Sequence, residues 1–290
     1  MKPFMGKITV IKPGFYTSVQ DLGRYGYAHL GVPVSGAMDL ISFNLANHLL
    51  KNQPDAACLE MTMMGATLFF DQPTLIVLCG AEAPISINGQ PQTLNRIIPI
   101  QAGDCLKISQ FQSGQRVYLA IKEGFMSEVI LNSRSFYKGI TSQSHLKQGN
   151  ILFYPSSTFT GTSAHAHLKF VDWTRDGKYL EVYPGPEINN LREEIYDKLF
   201  QNKFTISTLQ DRMGIQLEEH LPNNLKEILT APVYPGTVQL TPSGRLIILM
   251  RDAQVTGGYP RILQLTDKAV SLLSQKRPGQ AIQFNLLEGG

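Results

Sequence analysis

The sequence predicts a mainly β protein of barrel or sandwich type with a few short helices. Short runs of β-branched and aliphatic residues recur along it, separated by Gly, Pro, Asn, Asp or Ser, and only three stretches carry a helical spacing. The chain has 290 residues, of which 43% are apolar and 17% charged, so it can bury a core in one large domain or two ordinary ones.

In chain order the runs KITVIK, ATLFF, TLIVLCGA, PISING, CLKISQF, VYLAI, LKFVDW, YLEVYPG, TVQLT and RLIILM read as strands. Asn88-Gly89 predicts a tight hairpin turn, and TPSGR (Thr241 to Arg245) a second hairpin connection. Between Ser35 and Asn52, Met38, Ile41, Leu45 and Leu49 fall on one helical face, with Ser35 as the expected N-cap and Asp39 near the positive end. A second helix is expected from Gly185 to Asn202, with Ile188, Leu191, Ile195 and Leu199 on its face, Pro186 in its first turn and Glu187 capping it. The third, from Thr266, stops before Pro278. The polar DWTRDGK run marks a boundary, giving domains 1–172 and 173–290, with exchange of strands between them left open. A Pro-Gly, Val-Gln, Gly-Arg, Gly-Tyr order near the start returns near the end as a faint echo, in keeping with two related barrels.

A net charge of +3 without a dense basic run excludes an electrostatic nucleic-acid binder, leaving a small-molecule substrate as the expected ligand. No run of about 18 apolar residues suggests a membrane span. The start carries no cleavable signal pattern, and three scattered cysteines (Cys58, Cys79, Cys105) form no disulfide framework or metal signature. A reducing, cytoplasmic setting is the expectation.

Two stretches concentrate polar side chains among glycines. Val19 to Asp39 carries Gln20, Asp21, Arg24, His29, Ser35 and Asp39, and Arg24 has the planar fork that holds a carboxylate by two parallel bonds. Leu246 to Ile262 runs from an apolar strand into Arg251, Asp252, Gln254, Thr256, Gly257 and Gly258. If extended, it would set Asp252, Gln254 and Thr256 on one face, with the glycine pair offering N–H groups to an anion; a strand leaving through a β-bulge is the plainer alternative. Arg212 in QDRMG reads equally as an ion-pair partner or a site residue. Arg134 in NSRSF is an anion binder or a solvated arginine. Glu60, among strand residues, would need a partner such as one of these arginines. His165 and His167 have a spacing that a metal could use but no third ligand, so they read as exposed and no metal is expected. No P-loop, GxSxG elbow or catalytic cysteine signature occurs.

VQDLGRYGYAHLGVPVSGAMD, LEMTMMGATLFF, NSRSF, YPGPE, QDRMG and VYPGTVQLTPSGRLIILMRDAQVTGGYPRI occur in an order that resembles the allophanate hydrolase subunit 2 family across essentially the whole chain. The resemblance implies two cyclophilin-like β-barrel domains. It also implies partners, a KipI-like B subunit and a lactam-utilisation-type A subunit, and ATP-dependent opening of the 5-oxoproline lactam to glutamate, with ATP held by this chain or by a partner. Arg24, Asp39, Arg251 and Asp252 are the expected catalytic residues. Gln20, Asp21, His29, Ser35, Glu60, Arg134, Arg212, Gln254, Thr256, Gly257 and Gly258 are the expected substrate-binding ones. Two departures stand out: Phe136 follows Ser135 where the family favours Thr, and Ala253 stands where it favours Arg. Other members of the family imply the alternatives, a carboxyltransferase component of a urea carboxylase-like biotin enzyme, or a non-catalytic KipA-type binding protein. This sequence has no Met-Lys-Met biotin attachment motif.

Overall fold

The computed structural model describes residues 4–157 and 177–287, which leaves the LKFVDW run and His165 and His167 outside the described residues. The chain divides into two compact units. One comprises the described residues of Met1–Gly23 and Asp39–Asp172, the other those of Arg24–Met38 and Trp173–Gly290. The glycine-rich stretch crosses from one unit to the other, and residues 24–38 belong to the second.

The first unit contains β1 (Met5–Lys12), β2 (Tyr16–Gln20), α1 (Leu40–Leu49), β3 (Cys58–Thr62), β4 (Thr67–Phe70), β5 (Thr74–Glu82), β6 (Ile85–Ile87), β7 (Gln90–Gln92), β8 (Ile98–Ile100), β9 (Cys105–Ile108), β10 (Ser113–Ile121) and β11 (Ile151–Pro155). They form a six-stranded sheet ordered β11-β1-β4-β9-β6-β7 and a five-stranded sheet ordered β2-β3-β10-β5-β8. Alternation along each strand sends Ile8, Val10, Leu68 and Leu106 from one sheet, and Val19, Leu59, Val117 and Leu119 from the other, into a single core. Each such aliphatic side chain contributes about 1.5–3 kcal/mol on leaving water. The predicted Asn88-Gly89 turn joins β6 to β7 with both residues at positive φ, 50° and 83°, the backbone that a two-residue hairpin of right-handed twist requires.

The second unit contains β12 (Tyr179–Pro184), α2 (Glu193–Gln201), β13 (Phe204–Gln210), β14 (Gly214–His220), β15 (Ala231–Pro232), β16 (Thr237–Leu240), β17 (Arg245–Leu249), β18 (Thr256–Gly257), β19 (Arg261–Leu265), α3 (Asp267–Ser274) and β20 (Ala281–Leu286). Seven of these strands close a barrel in the order β12-β19-β16-β17-β14-β13-β20, and β15 pairs with β18 separately. The barrel interior is filled by Val182, Ile215, Leu217, Val238, Leu246, Ile248 and their neighbours, joined by Met38 from the 24–38 segment. The Thr241–Arg245 connection forms as predicted. Gly244 takes φ +85°, and a Cβ there would stand 2.8 Å from the Leu221 carbonyl oxygen.

Four helix expectations are corrected. Asp39, not Ser35, caps α1: its carboxylate accepts from the backbone N–H of Ile41 and Ser42, both at 3.0 Å. Ser35 lies four residues upstream with φ +57°, a conformation that ends regular structure. The face of α1 that goes inside is Ser42, Phe43, Ala46 and Asn47, while Ile41, Leu45 and Leu49 are half-buried. Asn47 can be buried because its amide donates to the Ala56 carbonyl at 2.8 Å. The Gly185–Asn202 pattern is broken in two, a 3-10 turn at Ile188–Asn190 and α2 from Glu193, with Ile195 and Leu199 buried. Glu187 makes no side-chain cap there and instead pairs with Arg261 at 2.8 Å.

Candidate functional site

On the five-stranded sheet, the face opposite the core is polar. Register places Ser18 and Tyr118 on either side of Glu60, since β2 and β10 both flank β3. Glu60 is fully buried; it accepts from the Tyr118 hydroxyl at 2.7 Å and lies 3.7 Å from Arg116 Nε. Tyr118 in turn accepts from the backbone N–H of Asp39 at 2.8 Å, which ties the start of α1 to this face. Burial, and next the Glu60 charge, push the Tyr118 phenol well above its ordinary pKa, so it stays protonated and donating. Burial likewise raises the thiols of Cys58 and Cys79, both of which are free.

Beside this row, Asp21 organises the NSRSF loop. One carboxylate oxygen accepts from Ser133 Oγ at 2.7 Å, Ser135 Oγ at 2.6 Å and Gly23 N at 2.8 Å. The other accepts from the backbone N–H of Arg134 at 2.5 Å. Ser135 Oγ also receives the backbone N–H of Asp21 at 3.0 Å. The part of Arg134 that reaches Asp21 is therefore its main chain; its guanidinium donates to the Ser127 carbonyl and lies 3.7 Å from Met126 Sδ. Gln20 donates to Ser18 Oγ at 2.9 Å and to the Phe136 carbonyl at 3.4 Å, while its own buried Oε1 has no partner among the described residues.

In the second unit an arginine fork holds the 24–38 segment. Arg212 grips Asp252 with two bonds, Nε to Oδ2 at 2.8 Å and Nη2 to Oδ1 at 3.0 Å, and Nη2 also donates to the Gly36 carbonyl at 2.7 Å. Ser35 N donates to the Arg251 carbonyl at 2.8 Å, and Arg24 N to the Val34 carbonyl at 2.6 Å. Arg251 is 4% exposed and reaches Asp267 at 3.2 Å; its Nε and the Ser35 hydroxyl are buried with no hydrogen-bond partner among the described residues.

The extended arrangement expected after β17 is corrected. Residues 251–255 turn, so Asp252 points into the Arg212 pair while Gln254 and Thr256 are exposed. Neither Gly257 nor Gly258 takes positive φ; a Cβ at Gly257 would meet Gln239 Nε2 at 2.5 Å, so a larger residue there would displace the end of that side chain. The structure thus gathers Gln20, Asp21 and the Arg134 backbone in one cluster of the first unit, with Glu60 and Asp39 in another. In the second it gathers Ser35, Arg212, Arg251 and Asp252. His29 stands apart, exposed in a 3-10 turn. Tyr118, Arg116, Ser133 and Ser135 are site neighbours that residue-type reasoning passed over. The two serines flank Arg134 in a quoted motif, whereas Tyr118 and Arg116 needed the strand register.

A groove of about 490 Å³ lies against the barrel wall of the second unit, lined by Gln210, Gln216, Gln239, Gln254, Asp211 and Tyr259 among others. Among the described residues, no group of three or more His, Cys, Asp or Glu side chains is placed to hold a metal ion, and no helix is long and apolar enough to cross a membrane.

The family model described as carboxyltransferase domain, subdomain A and B, matches residues 30–286. The 5-oxoprolinase C subunit of Escherichia coli (strain K12) is 31% identical over 283 residues, covering 96% of this chain and 90% of the relative. Urea amidolyase from Lachancea kluyveri is 29% identical over 306 residues, covering 95% of this chain and 16% of that protein. The crystal structure of the K. lactis urea amidolyase aligns with a TM-score of 0.84 at 25% identity, over 99% of this chain and 19% of that one. The chain thus spans less than a fifth of the urea amidolyases it matches.

Proposed function

The chain belongs to the family of the carboxyltransferase domain, subdomain A and B, and on that premise we propose that it is the C-type subunit of a cytoplasmic ATP-dependent 5-oxoprolinase. It would open the lactam of 5-oxoproline to glutamate together with a KipI-like B subunit and a lactam-utilisation-type A subunit. The observation that carries this reading is the extent of the likeness, which reaches across nearly all of both this chain and a 5-oxoprolinase C subunit.

ATP, whose phosphoryl group would turn a poor lactam electrophile into a good one, fits the residues of this chain badly. The sequence has no GxxxxGK[ST] loop, and the Arg212 fork is already closed on Asp252. The reading therefore places the nucleotide on a partner subunit. What this chain offers instead is a set of buried polar atoms without partners among the described residues: Gln20 Oε1 in the first unit, and Ser35 Oγ and Arg251 Nε in the second. A buried polar group left unpaired costs about 1–3 kcal/mol, so these atoms weaken the fold, and the pair in the second unit, Ser35 Oγ and Arg251 Nε, is assigned to substrate. Arg251 supplies a buried positive charge for the carboxylate of 5-oxoproline.

A second reading, a carboxyltransferase component of a urea carboxylase-like enzyme, is favoured by the structural likeness to urea amidolyase. Glutamate release from 5-oxoproline and ATP decides between them, using this chain purified with its B and A partners and each omitted in turn. Release that requires this chain is the expected result. Its absence from an assembled complex, with urea carboxylation appearing once a carboxylated biotin carrier is supplied, would replace the first reading by the second.

A further inference from the structure

The two sheets of the first unit differ in what lies on their outer faces. Helix α1 packs on the five-stranded sheet, where Phe43 meets the Tyr118 ring edge-on at 6.4 Å. On the six-stranded sheet the side chains opposite the core stay open to solvent. Ile8, Leu68, Leu106 and Leu152 point inward, so alternation turns Met5 of β1, Phe69 of β4, and Ile151 and Phe153 of β11 outward. These four are 42%, 38%, 53% and 42% exposed in that order. Register sets Ile151, Thr9, Phe69 and Cys105 in one row across β11, β1, β4 and β9, with Phe153 beside Lys7 in the next. Apolar side chains scattered singly over a surface are ordinary, whereas a set joined by register on one face marks an interaction surface.

The charge on this face has one sign. Lys7 and Lys107 occupy outward positions and Lys12 ends β1, and none of the three makes a side-chain ion pair among the described residues. Strands β1, β4, β9 and β11 contain no acid. The acids that border them are already held: Asp71 Oδ1 accepts from Lys7 N at 2.6 Å, and Asp104 accepts from Gln101 N and Asn88 Nδ2, both at 2.7 Å.

We propose that the outer face of the six-stranded sheet docks a partner protein that presents an apolar patch ringed by carboxylates. Such a partner supplies the counter-charge that Lys7, Lys12 and Lys107 lack, and covers Phe69, Phe153 and Ile151. A second copy of this chain fits worse, because a two-fold contact would set the same lysines against each other. A lipid surface fits worse too: more than half of Phe69 and of Phe153 is already packed on the sheet, so their rings do not project far enough to enter a bilayer. The inference rests on the oxoprolinase reading only for its probes, the B and A subunits.

Cys105 makes the face measurable. It is half-buried in the Phe69 row, while Cys58 and Cys79 are buried and serve as unreactive controls. The unaltered full chain is alkylated with iodoacetamide, alone and with each subunit in turn, and the Cys105 peptide is followed by mass spectrometry. At least tenfold slower alkylation of Cys105 with one subunit is the expected result. Affinity for that subunit should fall at least tenfold in Phe153→Asp and in the double variant Lys7→Glu, Lys107→Glu. Binding that leaves Cys105 as reactive as before, or no binding of either subunit, overturns the proposal. So does protection of Cys105 by self-association of the chain alone, or only by vesicles of anionic phosphatidylglycerol. The alkylation arm uses the unaltered protein, so it decides the matter even if a variant does not fold. Glutamate release by the mixed subunits is a separate readout, and its loss or retention tests only the functional reading.

Discussion

Gln20 on β2 in the first unit and Gln239 on β16 in the second both follow a core valine, and both point away from their core. Each is buried and donates its NH2 to a backbone carbonyl 3.4 Å away, Phe136 in one case and Tyr259 in the other. Their surroundings differ. Beside Gln20 stands an acid, Asp21, which holds four donors within 3.0 Å. Around Gln239 the outward residues are amides with few partners. A buried carboxylate must be met by donors drawn from distant sequence, and that requirement fixes the loop that supplies them. A neutral amide tolerates an open valence at much smaller cost, and so can leave a surface ready for a ligand.

The largest effect expected from this contrast is on stability. Asp21→Ala leaves two hydroxyls and two backbone N–H groups without their acceptor and should cost on the order of 3–5 kcal/mol. Gln239→Leu breaks a single long bond and should cost about 1 kcal/mol or less. Denaturant unfolding followed by circular dichroism compares the two. If Asp21→Ala proves as mild as Gln239→Leu, the difference between a locked acid and an open amide is lost.

Next in size is the Arg212 fork. Asp252→Asn leaves a buried guanidinium facing a neutral amide and should cost about 3 kcal/mol. Because Arg212 also holds the Gly36 carbonyl, hydrogen exchange at Ser35 N should speed up in this variant while the β13–β14 amides remain protected. Arg212→Lys keeps the charge but cannot make two parallel bonds, so it should show the same loosening. Unchanged exchange at Ser35 would mean that the segment is held by its backbone bonds alone.

Strands with alternating aliphatic residues and Gly or Pro at their ends were legible, as was the Asn88-Gly89 turn, because those features act within a few residues. Side-chain pairing was not. Tyr118 and Glu60 meet only because β3 lies between β2 and β10, and nothing local to either residue encodes that register. The inward face of α1 was misread for a related reason. It packs on a sheet face carrying Tyr118, where Phe43 sits edge-on to the ring and Asn47 finds a carbonyl, so apolar spacing points to the wrong side. The groove joins two strand pairs, β13–β14 and β16–β17, from separate stretches of sequence, and only the Val-Gln echo, Val19-Gln20 against Val238-Gln239, hinted that Gln239 would resemble Gln20.

The smallest effect concerns Glu187, a carboxylate of the second unit held by an arginine near the surface. Arg261 donates to Glu187 from Nε and Nη2, at 3.1 and 2.8 Å, and from its backbone N–H at 2.8 Å. The Arg261 side-chain hydrogen bonds lower the Glu187 pKa below its ordinary value, and partial burial opposes the shift without cancelling it. A depressed folded-state pKa stabilises above the unfolded value, and that contribution is lost as pH falls through the lowered one. Glu187→Gln should therefore reduce stability at neutral pH, by about 1 kcal/mol or less because water reaches the pair. The difference should shrink to nothing once the pH is below the depressed value. Acid titrations of the two proteins give the check: curves that stay parallel to the acid end would show that Glu187 matters through its shape, not its charge, and would align it with the neutral amides instead of with Asp21.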